Sequence, residues 1–231
     1  MNGTARASGV AGLGFVTLLV VANLVLISAG IPLPTDDPPL GAVAETYAQQ
    51  GAALRAASAL MPAAWLLATV FAAGLAVSAW DPASSSRRTW ALVGLAGVVL
   101  QCAVFTGAEA ARLALGAAAT DGPAAVAGLW GLHRALFGYN QVFLATALLG
   151  FSLSVPVARW HAALGLTGAA LLLVSGSLAP YGVGQAHPLA AVGLVGWLLW
   201  LAWITVAGVR LLRTPRGTRT RDDVGAAARP A

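Results

Sequence analysis

The chain contains no lysine, a single cysteine and little charge of either sign: 9% of its 231 residues are Asp, Glu or Arg. A soluble domain carries about 25% charged residues and about 45–50% apolar ones. With 58% apolar residues and a mean hydropathy of +0.79, too little polar surface remains to cover a water-soluble globule of this size. The deficit excludes a soluble enzyme, a disordered chain and a nucleic-acid-binding domain, and it indicates an integral membrane protein in contact with a lipid bilayer. A lone Cys102 excludes an intrachain disulfide and a cysteine-based metal site; placed among apolar residues, it reads as a small buried hydrophobe. Motifs with a recognisable chemistry are missing too. There is no H-E-x-x-H, G-x-S-x-G or P-loop, so no catalytic residue, metal or cofactor is expected. The three histidines, His133, His161 and His187, fall at depths that do not pair for a bis-histidine haem.

What is present is long apolar runs. A bilayer core of about 30 Å needs about 20 consecutive apolar residues in a helix. Six stretches qualify, roughly 9–30, 57–80, 89–115, 124–154, 157–179 and 188–212. They are continuous and rich in Ala, Leu and Val, which fits helices and not barrel strands. The expected fold is therefore all-α, a six-helix transmembrane bundle over 1–213. The first run is longer than a signal-peptide core and reads as an uncleaved helix. The 31–56 loop opens on Ile-Pro-Leu-Pro-Thr-Asp-Asp-Pro-Pro, which cannot be helical, and 42–55 has the composition of a short surface helix. Residues 214–231 read as a disordered basic tail. No glycine is followed by another four positions on, so helix packing must rely on small residues without a GxxxG motif.

Arginine bias sets the orientation. One face collects Arg6, Arg87, Arg88, Arg159 and the tail, while the other has Arg55 alone. Both termini are expected in the cytoplasm of a bacterial-type plasma membrane, with Trp80, Trp90 and Trp160 in the cytoplasmic belt. From Arg210 onward six Arg face two Asp, so most of the net charge of +5 belongs to the tail.

An ionisable residue inside a span costs about 2.5–3.5 kcal/mol on insertion scales and marks a candidate site. Glu109 and Arg112 in the third span and Arg134 in the fourth qualify, with His133 adjacent. The short connection at 116–123 makes these spans antiparallel neighbours. Gln101, Phe105, Glu109 and Arg112 share one face of the third helix; Trp130, His133, Arg134, Phe137, Asn140 and Gln141 form a broad polar-aromatic stripe on the fourth. Asn23 and Arg55 are further candidates. One reading is a net-positive chamber open to the outside, binding or transporting a small anionic or amphipathic ligand through Glu109, Arg112, His133, Arg134, Asn140, Gln141 and Gln101. The other is structural: Glu109 pairs with Arg112 along the helix or with Arg134 across it. A structural subunit with a membrane-protein partner and a lipid-modifying enzyme using Glu109 or His133 are alternatives. Trp197, Trp200 and Trp203 recur every third residue of the last span, either as packing aromatics or as a platform for a flat apolar ligand such as a quinone or carotenoid.

The stretch Gly131-Leu132-His133 followed by Gly138-Tyr139 resembles a segment in a family of bacterial six-helix membrane proteins of unknown function. The order of features is similar: a first helix, an extracytoplasmic loop, then tightly linked helices. Pro156 to Arg159, leading into Leu164-Gly165, resembles the family's Pro-Arg-x-Leu-Gly pattern, spread out here by extra residues. The resemblance covers about 9–212. It implies the topology, directs attention to His133 and implies no chemistry.

Overall fold

A computed structural model describes residues 2–182 and 190–213. His187 and the 214–231 tail lie outside the described residues. Every regular element described is helical: α1 (Asn2–Ser28), α2 (Leu40–Gln49), α3 (Gly51–Ala79), α4 (Ser85–Ala118), a 3₁₀ turn (Ala119–Asp121), α5 (Pro123–Ser154), α6 (Arg159–Gly182) and α7 (Ala190–Arg213). All except α2 and the turn are long and apolar enough to cross a membrane. The chain is thus an all-α, multi-pass six-helix bundle.

The helix ends follow from local chemistry. α1 begins at Asn2, well before its apolar run, because nothing in 2–8 breaks a helix. It closes in a Schellman turn: Gly30, at φ +67, donates to the Ile27 carbonyl at 3.0 Å, and Ile31 donates to the Leu26 carbonyl at 3.1 Å. Buried Leu26 and Ile31 supply the apolar contact of that motif. The prolines at 38 and 39 hold the approach to α2 extended. α2 and α3 meet at Gln50, so 51–55 belongs to the long helix and not to a surface segment. Pro62 lies inside α3, where it leaves the Ser58 carbonyl without its helical donor. Gly122, at φ +95, turns the chain, and Pro123 occupies the first position of α5, where its missing N–H costs nothing. α6 continues past Pro180 to Gly182, since a proline this close to a helix end removes only one hydrogen bond.

The six long helices form a closed ring in the order α1, α3, α4, α5, α6, α7, with α7 returning to α1. Each packs mainly on its two neighbours, and α4 with α5 is the most extensive pair. That pair comes together through small residues. A Cβ on Gly97 would land on the Ala147 backbone, and one on Gly150 on the Gly94 backbone. α2 lies across one end of the ring, against α5, the 3₁₀ turn and α4. We call this the α2 end; the opposite end carries the α3–α4 and α5–α6 turns and both described chain ends.

Candidate functional site

The residues expected to share one chamber divide into two groups. The first sits near the α2 end, between α3, α4 and α5. Glu109 and Arg112, one turn apart on α4, form a buried ion pair. Ser58 of α3 donates its hydroxyl to Glu109 Oε2 at 3.0 Å. His133 Nδ1 donates to the Ala108 carbonyl at 2.9 Å, because a carbonyl can only accept; this leaves its Nε2 as the acceptor. Its ring lies 5.9 Å from that of Trp130. Arg134 leaves this pair and reaches the extended loop, where Nε donates to the Pro34 carbonyl at 3.1 Å and a terminal nitrogen meets Asp37 Oδ1 at 3.3 Å. Among the described residues two arginines therefore face two carboxylates, Glu109 and Asp37, and these four charges balance. Asp37 lies 97 residues from Arg134 in the chain, and spacing within one helix cannot reveal such a partner. Arg55 stays exposed.

Tyr47 of α2 closes this group from above. It is 1% exposed, and its ring meets Trp130 edge-on at 6.4 Å. Its hydroxyl has no partner. Burial pushes the phenol up to about 12; the Arg112 guanidinium opposes this and the Glu109 carboxylate reinforces it. An acid held protonated in the fold stabilises fully below its unfolded pKa, ordinarily about 10, and that stability is lost as the pH rises through the folded value. Thermal unfolding followed against pH should therefore show a loss of stability between about 10 and 12. Tyr47→Phe, measured the same way, should lack this component.

The second group consists of amides. Gln101 of α4, Asn140 and Gln141 of α5 and Asn23 of α1 line a cavity of about 330 Å³ inside the ring. Phe105 and Phe137, a tilted pair at 6.5 Å, separate them from the charged group. Trp65, Trp197, Trp200 and Phe15 contribute further aromatic wall, and Leu33, Pro34 and Thr35 form the roof at the α2 end. Among the described residues no lining side chain is ionisable. Arg134 thus shapes the site indirectly, by holding the loop that covers it. Gln101, Asn140 and Gln141 are 6%, 4% and 8% exposed, so all three amides are buried. The Asn140 and Gln141 side-chain oxygens have no hydrogen-bond partner, and Gln101 Oε1 receives only a weak thiol contact from Cys102 at 3.6 Å. An unsatisfied buried amide costs about 1–3 kcal/mol, so two beside one cavity require an explanation.

The tryptophan row splits in the same way. Trp197 and Trp200 face the cavity. Trp203 packs at the far side, where the His161 ring lies 4.9 Å from it and His161 Nε2 donates to the Trp203 carbonyl at 3.1 Å. His161 is fully buried. Among the described residues no cluster of three metal-ligating side chains exists. Comparison with known protein families, with curated proteins and with solved structures finds no match for this chain.

Proposed function

We propose that this protein resides in a bacterial plasma membrane with both termini in the cytoplasm, and that it binds an uncharged amphipathic ligand in the cavity between the helices, for storage or passage across the bilayer. The orientation rests on arginine distribution: Arg6, Arg87, Arg88, Arg159, Arg210 and Arg213 gather at one end of the bundle, and Arg55 is the exposed counterpart at the other. The resemblance at Gly131-Leu132-His133 and Gly138-Tyr139 to bacterial six-helix proteins supports the same placement.

The observation that carries the functional reading is an apolar cavity bordered by buried amides whose oxygens lack partners. An anionic ligand would enter a space that no cation among the described residues lines, at a desolvation cost those residues do not offset. A neutral ligand with a hydrogen-bonding head instead supplies the partners the amides lack. A lipid-modifying enzyme would need Glu109 or His133 against its substrate, and neither lines the cavity.

The test is a paired measurement on Asn140→Leu/Gln141→Leu. Without ligand, the double variant should unfold at or above the temperature of the parent, since two unpartnered polar groups are replaced by apolar ones of similar size. A neutral lipid extract that binds at about 100 times its Kd should stabilise the parent by about 2.7 kcal/mol and the variant far less. If lipids stabilise both proteins equally, or neither, the reading fails and a structural subunit with a membrane partner becomes the better account.

A further inference from the structure

Granting that reading, we propose that the ligand is of the quinone class, a neutral flat ring bearing oxygens on an isoprenoid tail, and that it enters sideways from the bilayer between α1 and α7. Four features of the cavity carry this.

The first is size. Pockets that enclose a whole drug-sized molecule span about 300–1,000 Å³. At about 330 Å³ the cavity accommodates a ring head and the start of a tail, but not a complete two-chain lipid, so the remainder of the ligand must lie outside.

The second is the opening. α1 and α7 approach closely in the half away from α2, where a Cβ on Gly9 would lie 2.8 Å from the Gly208 carbonyl. Phe15 and Trp200 still touch at 5.4 Å. Toward the α2 end the cavity reaches the outer surface of these two helices. Leu24 and Ile27 of α1 and Leu194 and Leu198 of α7 line the cavity and are each more than half exposed. Apolar side chains that face both a cavity and the lipid make a hydrocarbon-lined portal, suited to a flexible tail.

The third is charge. No described lining residue is ionisable, which favours a neutral head, as a quinone has in both its oxidised and its hydroquinone form. The fourth is shape with polarity. Phe105, Phe137, Trp197 and Trp200 present flat faces and edges to an aromatic ring. An amide both donates and accepts, so Asn140 and Gln141 can serve a ring carbonyl through their N–H groups and a ring hydroxyl through their free oxygens.

The experiment uses the full chain in phosphatidylcholine nanodiscs, with decylubiquinone as the probe and dioctanoylglycerol as a neutral lipid without a ring. A quinone in van der Waals contact quenches indole fluorescence, so a quinone seated against Trp197 and Trp200 gives saturable quenching at one equivalent. In Asn140→Leu/Gln141→Leu the apparent affinity should drop about ten-fold or more, the loss of two hydrogen bonds. Leu24→Phe/Leu198→Phe should slow uptake about ten-fold, because it narrows the portal. Quenching that stays linear with quinone concentration, while dioctanoylglycerol stabilises the protein, overturns the quinone class and leaves the cavity reading standing. If neither probe binds, both fall. Unaltered uptake in the portal variant overturns the lateral route alone.

Discussion

Glu109→Leu is expected to destabilise the protein by about 3–5 kcal/mol, the cost of leaving one member of a buried ion pair without its counter-charge. Arg112 is 9% exposed, its Nε already lacks a partner, and Glu109 is the acceptor for its terminal nitrogen. Ser58 loses its acceptor in the same step. Inside a membrane span the arginine has no water to turn to, and escape to the interface means breaking the packing under α2. The double variant Glu109→Leu/Arg112→Leu should recover most of the loss, since well-packed apolar residues commonly replace a buried pair at little cost. Glu109→Gln should fall between, because it keeps an acceptor for Ser58 while removing the charge. Thermal unfolding of the parent, Glu109→Leu, Arg112→Leu and the double variant in one detergent gives the coupling energy directly. A double variant no more stable than Glu109→Leu would show that the pair does more than neutralise itself, and the structural account of these charges would have to be abandoned.

Gly150→Ala should be nearly as damaging, at about 3 kcal/mol, the upper end of the usual overpacking cost. The added methyl would meet the backbone nitrogen and Cα of Gly94 and lie 2.8 Å from the Trp90 carbonyl. None of these atoms can rotate away, so α4 and α5 must separate along their whole contact, where Gly97 and Ala147 touch one turn on. The proper control is Gly128→Ala on the same helix. Nothing lies within 4 Å of that position, and the helix there should gain up to about 1 kcal/mol from the better propensity of alanine. Opposite signs in the unfolding temperatures of the two variants would establish that backbone approach, and not glycine content, holds this pair together. A Gly150→Ala protein as stable as the parent would mean that α4 and α5 pack differently.

These two expectations differ in how far the sequence foreshadowed them. Glu109 and Arg112 are three apart in an apolar run, and helical spacing alone allows their pairing. The glycine contacts leave a fainter trace. Gly94 and Gly97 are visible three apart, as are Ala147 and Gly150, but a search for GxxxG passes over both, and nothing in one helix states which face of another it meets. Arg134 illustrates the same gap: its spacing on α5 suggested company with Glu109, whereas its guanidinium turns to the loop at Pro34 and Asp37.

The sequence by itself determined that this is a multi-pass helical membrane protein, because hydropathy acts residue by residue and a lipid core admits only segments that satisfy their own backbone. It also identified the buried charges and amides, whose cost in hydrocarbon makes them conspicuous. Only the tertiary structure decided that the charges close on one another and on a distant loop, while the amides Gln101, Asn140 and Gln141 face an apolar cavity. The reason is geometric. Helix order around the ring, the closure of α7 on α1 and the space left at its centre depend on which small residues allow which backbones to approach, and those pairings join positions that lie far apart in the chain.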